Sequence, residues 1–181
     1  MRILPLIVFW SLLLLSCTEV TFPEAQPRGV KPLANVPPAL QGIYQPYLKA
    51  TGETGDSLII ESWGYHFKSE KDQDWLGRGV VSDSLVVKFY KDYYFVNFRD
   101  QDQWVLRVVR QASPGALEFM SIDLSEESTR DQILRRLGNK MQIKKITRDE
   151  STYYQINPTP AQLMSLIKEG YFTSVELRKM K

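Results

Sequence analysis

The chain has 181 residues, 43% of them hydrophobic and 24% charged, the makeup of one folded domain with short additions rather than a disordered polymer. Its formal net charge of +2 lacks the basic excess that marks a nucleic-acid binder. One cysteine and one histidine exclude an internal disulfide, a cysteine zinc site and a His-x-x-x-His metal pair.

Met1 and Arg2 supply a positive start, and Ile3 to Leu15 form an apolar run broken only by Pro5 and Ser11. The run falls short of the roughly 20 residues that span a bilayer but suits the apolar region of an export signal. It ends in Leu14-Leu15-Ser16-Cys17, with an aliphatic residue three before the cysteine and a small one just before it. These residues resemble a lipobox, with Leu15 standing where a smaller residue is usual. The resemblance implies that residues 1–16 are removed as a lipoprotein signal peptide and that Cys17 carries acyl chains of the palmitate kind. Each buried methylene contributes about 0.8 kcal/mol, so one chain anchors reversibly and two or three anchor stably. Thr18 follows the cysteine rather than Asp, which by the same resemblance points to the outer membrane, on its periplasmic face or at the cell surface. Loss of Arg2 with the signal leaves 22 Lys and Arg against 21 Asp and Glu.

Residues 17–38 read as the lipidated cysteine and a proline-rich tether. Pro23, Pro27, Pro32, Pro37 and Pro38 are half of all the prolines, and such a segment reaches up to about 60 Å when extended. A single globular β-rich domain is expected over 39–181. Strand runs rich in Val, Ile, Tyr, Phe and Trp follow at Ser57 to Phe67, Gly79 to Phe89, Tyr93 to Arg99, Gln103 to Gln111 and Ala116 to Leu124. In the first run Ile59, Trp63, Tyr65 and Phe67 share one parity and Ser62, Gly64, His66 and Lys68 the other, which predicts one half-buried strand with His66 facing water. A weak repeat at 28 residues, Lys71-Asp72-Gln73-Asp74 with Val80-Val81 against Arg99-Asp100-Gln101-Asp102 with Val108-Val109, fits a meander of two strands per unit.

Two helices are predicted. The first takes Ser128 as N-cap with Asp131 three residues on, presents Ile133, Leu134 and Leu137 on one face, and stops at Gly138-Asn139 after about nine residues. In the second, Thr159 caps, Pro160 fits the first position, Gln162 completes the capping box and Gly170 ends it. Its apolar stripe is Leu163, Met164, Leu166 and Ile167. Met141 to Ile146, Tyr153 to Ile156 and Ser174 to Met180 read as strands.

Little in the chain carries catalysis. Gly52 to Ser57 lacks the Gly-Lys-Ser/Thr ending of a phosphate loop, and there is no Gly-x-Ser-x-Gly elbow. His66 and Ser62 sit too far apart on a common strand for the pair to act as base and nucleophile, Ser or His alone being ordinary strand residues. Asp72, Asp74, Asp100 and Asp102 offer carboxylate pairs for calcium or for acid–base work, against their ordinary use in turns. Tyr93, Tyr94, Phe95 and Trp104, with Tyr90 and Phe98 nearby, offer an aromatic cavity or glycan-binding face, against plain core packing. Arg135, Arg136, Lys144 and Lys145, within the basic stretch Arg130 to Arg148, offer a contact face for anionic lipid or a partner, against a solvated surface.

The lipobox, the proline-rich segment, Leu40-Gln41-Gly42-Ile43-Tyr44, the block from Tyr93-Tyr94-Phe95-Val96-Asn97 to Trp104, and Tyr153 through Asn157-Pro158-Thr159 together resemble small uncharacterised lipoproteins of the Bacteroidota type. That resemblance brings no established activity or cofactor. The expected fold is α+β, an antiparallel meander able to curl into a partly closed barrel, with two helices packed on it. Three functions are open: a non-catalytic binding or accessory module with an envelope protein or glycan partner, a carrier of apolar ligand, and a carboxylate-based envelope enzyme. The second rests on the loose similarity of Gly42-Ile43-Tyr44 to the Gly-x-Trp opening of lipocalins.

Overall fold

A computed structural model describes residues 18–47, 56–68, 77–148 and 151–180. The fold is α+β: among the described residues twelve strands join one mixed, mostly antiparallel sheet that carries two helices and does not close into a barrel. In chain order the elements are β1 (Thr18–Phe22), β2 (Gly42–Tyr47), β3 (Leu58–Glu61), β4 (Gly64–Phe67), β5 (Arg78–Val80), β6 (Leu85–Tyr90), β7 (Tyr93–Asp100), β8 (Gln103–Ser113), β9 (Ala116–Ser121), α1 (Glu127–Gly138), β10 (Lys144–Arg148), β11 (Ser151–Gln155), α2 (Pro160–Lys168) and β12 (Thr173–Lys179). No helix among the described residues is long and apolar enough to cross a membrane.

The eleven-residue β8 organises the sheet. One edge pairs with β7, while the other pairs first with β1 and then with β9. Beyond β1 the sheet runs to β11, in parallel, and β10; beyond β9 it runs to β12, β2, β3, β4 and β5. This second arm curls until Tyr65 of β4 meets Phe98 of β7 edge to face, ring centres 6.0 Å apart. Residues 32–36 strap the remaining gap: Leu33 N–H donates to the Val87 carbonyl of β6 and Val36 N–H to the Ser62 carbonyl at the β3–β4 turn.

The segment expected as a tether is therefore built into the domain. Thr21 and Phe22 pair with Val105 and Trp104, and Val20 and Phe22 are buried. Downstream, the fully buried Asn97 side chain accepts from Gln26 N–H at 2.6 Å and donates to the Gln26 carbonyl at 2.8 Å, and Lys88 Nζ donates to the carbonyls of Ala25 and Pro27. These bonds satisfy backbone groups that proline-rich chain cannot satisfy in a ladder of its own. Residues from Thr18 onward, well ahead of residue 39, are thus packed and hydrogen-bonded with the sheet.

Two further expectations change. Ser57 to Phe67 is a hairpin rather than one strand, so Leu58 and Ile60 share the inner face with Tyr65 and Phe67, while Ile59 pairs with His66 outside. Gly64 permits it: at φ +154 a side chain there would overlap the Gly79 carbonyl oxygen across the β4–β5 pair. The repeat is not structural, because Val80 is exposed at the end of the three-residue β5 whereas Val108 and Val109 are buried mid-sheet in β8.

Of the helices, α2 forms as its residues dictate: the Thr159 side chain accepts from Gln162 N–H, the Gln162 side chain accepts from Thr159 N–H, and Gly170 takes a left-handed turn beyond the end. α1 starts earlier than predicted, with Glu126 at the cap position making no side-chain cap bond and Ser128 inside the first turn. Both helices cover one face of the sheet, where Leu137, Leu163 and Leu166 pack against Phe22, Phe95, Leu106 and Val108.

Candidate functional site

Strand alternation sends every second residue of β6 to β9 away from the helices and into the curl. Val87, Val96, Phe98, Val109, Leu117 and Phe119 come from that wall and from its neighbours in the sheet. Leu58, Ile60, Tyr65 and Phe67 of the β3–β4 hairpin face them, Leu177 of β12 joins the two, and Val36 and Leu40 from the strap form the side. Between them lies a cavity of about 200 Å³. Nine strands take part in the curl, and a barrel of about eight already has room for a small ligand.

Among the described residues the lining is apolar except for Arg107 and the hydroxyl of Tyr65. Arg107 lies on the inward parity of β8, between Val105 and Val109, and forms a two-pronged ion pair with Glu19 of β1, Nη1 to Oε1 at 2.8 Å and Nη2 to Oε2 at 3.3 Å. The pair is largely shielded, with the side chains 14% and 19% exposed. Burial pushes the Tyr65 hydroxyl up to about 12 from its usual 10, and the nearby Arg107 charge works in the opposite direction. Tyr44, buried on the same side, is also raised by burial.

The predicted site residues are dispersed. Of the aromatic set, Tyr93, Phe95 and Trp104 belong to the helix-covered core, and Tyr94 alone sits on the cavity side, packed against Phe89. The rings that line the cavity are Tyr65, Phe67, Phe98 and Phe119. The basic set does not make one face, since Lys144 and Lys145 are adjacent in β10 and project to opposite sides. Arg136 stacks on Tyr171, its guanidinium 4.4 Å from the ring centre, and Lys140 is paired with Glu169 at 2.8 Å.

Asp102 is held by Arg148 at 2.8 Å, which lowers its carboxyl to about 2, while Asp72 and Asp74 lie outside the described residues, as does Cys17. His66 stacks on Trp63 on the outside of the hairpin, ring centres 5.8 Å apart, and is partly exposed, as a strand histidine on an outer face should be. Among the described residues no three His, Cys, Asp or Glu side chains converge as metal ligands would.

Arg107 escaped the sequence reading although a signal for it existed. In Val105-Leu106-Arg107-Val108-Val109 a charge occupies the parity of two buried valines, and a buried charge at an apolar parity needs a partner. Compared with protein-family models, with curated proteins and with solved structures, the chain matches none.

Proposed function

We propose that this protein is a membrane-anchored, non-catalytic binding module of the bacterial envelope that takes a small apolar ligand into the cavity of its curled sheet. The cavity carries the reading. Native interiors leave few voids larger than a water molecule, whereas here about 200 Å³ is kept open against an apolar lining whose exposure to water costs about 25 cal/mol per Å². A ligand that fills the void recovers part of that energy. Apolar cavities near 150 Å³ bind benzene, whereas pockets for drug-sized molecules begin near about 300 Å³, so the occupant is one ring or one short chain.

The lipobox resemblance of Leu14-Leu15-Ser16-Cys17 supports the envelope setting. An acylated Cys17 would stand one residue before β1, a short link that would keep the domain near the bilayer. Apolar molecules partition there, and a short path favours exchange between membrane and cavity.

Ethylbenzene is the first probe. With the full chain in zwitterionic lipid nanodiscs and empty discs subtracted, calorimetry should show saturable binding with a rise in melting temperature. Val109→Phe, which places a ring in the void, should weaken it more than tenfold while raising the melting temperature of the unliganded protein. Unsaturable uptake, or equal uptake by Val109→Phe, would remove the reading. The intact mass of protein taken from its native membrane should fit residues 17–181 plus acyl chains; an unacylated mass would remove the anchor.

A further inference from the structure

Among the described residues, all but two of those that line the cavity stand on strands of the sheet. The two are Val36 and Leu40, which the strap carries and which are almost completely buried. The strap lies over the seam between β5 and β6, consecutive strands that do not pair with each other among the described residues. Elsewhere around the curl, a sideways path would have to break a ladder of paired main-chain groups. At the seam it need only release the isolated Pro32–Lys88 bridge, with its Leu33 N–H bond to the Val87 carbonyl at 2.8 Å, and the Val36 N–H bond to the Ser62 carbonyl at 2.9 Å. Pro32, Pro37 and Pro38 have no N–H with which to add to these. The outer side of the strap is open to solvent at Lys31, Pro32, Ala34 and Asn35, so nothing packed above it holds it down.

The strap also keeps its own shape. Leu40 N–H donates to the Pro37 carbonyl, and Gln41 donates from its backbone to Pro38 and from its side chain to Val36. Its ends are fixed, by the Asn97 bonds to Gln26 and by the pairing of β2 with β3, and beside each fixed end stands a glycine at positive φ, Gly29 at 74° and Gly42 at 151°. Glycine changes backbone conformation at little steric cost, and a hinge is a few residues that absorb such a change. From these features we infer that residues 30–41 are the gate of the cavity. The strap swings off the β5–β6 seam about Gly29 and Gly42, carries Val36 and Leu40 out of the wall, and lets ligand pass through the gap. The inference rests on the cavity being a ligand site. Occupancy acts back on the gate, because a ligand packed against Val36 and Leu40 holds them in the wall and makes opening rarer.

A reversible staple tests the gate. Opposed residues of an antiparallel pair stand about 4.5–5.5 Å apart, within the reach of a disulfide, so Pro32→Cys with Lys88→Cys can tie the strap to β6. The full chain is placed in zwitterionic nanodiscs, peptide mapping confirms the link between positions 32 and 88, and ¹⁹F NMR reads the exchange of 4-fluoroethylbenzene between cavity and disc. Oxidation should slow that exchange at least tenfold, and reduction should restore it. Comparing two redox states of one variant cancels the loss of the Lys88 bonds to Ala25 and Pro27. Hydrogen exchange of the unaltered chain needs no staple: Leu33 and Val36 N–H should exchange at least a hundredfold faster than the N–H groups inside β8, and should slow when ethylbenzene is bound.

Equal exchange of 4-fluoroethylbenzene in the two redox states, with the probe bound in both, would overturn the gate, put the path at an end of the curl and leave the cavity reading standing. Protection of Leu33 and Val36 N–H equal to that inside β8 would also overturn it, since the strap would then open only with the whole fold. Binding of the probe by neither the unaltered chain nor the variant would defeat the cavity reading itself.

Discussion

Strands β7, β8 and β9 serve two interiors at once. Phe95, Leu106, Val108 and Met120 point toward α1 and α2, where the side chains close into a core; Val96, Arg107, Val109 and Phe119, their neighbours in sequence, point into the curl, where a void remains. The same strands, with valine on both faces, reach opposite results because the covering differs. A helix can shift and rotate on a sheet until its side chains fill the space. A curled sheet has its width fixed by strand number and register, and side chains the size of valine and leucine do not span it. Packing density on the first face and emptiness on the second are consequences of architecture, not of hydrophobicity.

Truncation should separate the two faces most sharply. Leu166 is wholly buried under α2, and Leu166→Ala should cost about 3–4 kcal/mol, the range for a fully enclosed leucine. Ile60 is half-buried beside a space that already exists, so Ile60→Ala adds little new cavity and should cost about 1–2 kcal/mol. Urea unfolding of both variants checks the difference; equal costs would mean that the void is closed in solution.

The N-terminal strap supplies the next effect. Asn97 ties the Gln26 backbone to the outer part of the sheet through both of its side-chain groups. Asn97→Ala leaves a buried N–H and a buried carbonyl without partners, which should cost about 2–3 kcal/mol. Because the strap bears on the cavity side, through Val36 and Leu40, this variant should also loosen ethylbenzene binding, whereas Leu166→Ala should not. Hydrogen exchange at Leu33 and Val36 N–H would follow the loosening directly.

The legibility of these regions in the sequence follows the range of the interactions. α2 could be read residue by residue because Thr159, Pro160, Gln162 and Gly170 act within one turn of one another. Strands β7 and β8 were equally plain, since alternation is local. The strap hides its structure because its prolines signal a linker while the groups that hold it, Asn97 and Lys88, lie 61 to 71 residues away. The β3–β4 turn at Ser62-Trp63 has no Asn-Gly or Asp-Gly signature, so two strands looked like one and Ile59 was assigned to the wrong face. The cavity itself could not be read, because a void is a relation between β4, β7, β9 and β12 that no stretch of sequence contains. Aromatic clustering drew attention to Tyr93 and Phe95, yet what counts at this site is which parity a ring occupies and which layer that parity meets.

The smallest expected effect lies in the titration of the cavity side. Tyr65 keeps its proton to about pH 12 in the folded protein, against about 10 for an exposed tyrosine, because burial disfavours the phenolate. Between those values the unfolded chain releases a proton that the folded chain retains. The Tyr65 contribution is thus fully present below pH 10 and is lost as the pH rises toward 12. A shift of two units corresponds to about 2.7 kcal/mol between the protonation states, which solvent reaching the half-buried ring reduces to about 1 kcal/mol. Tyr65→Phe should therefore lose less stability than the unaltered protein between pH 10 and 12, with the residual slope coming from Tyr44 and the other alkaline groups. Filling the cavity with ethylbenzene desolvates Tyr65 further and should delay its ultraviolet phenolate transition to still higher pH. A transition that did not move on filling would place the Tyr65 hydroxyl outside the cavity.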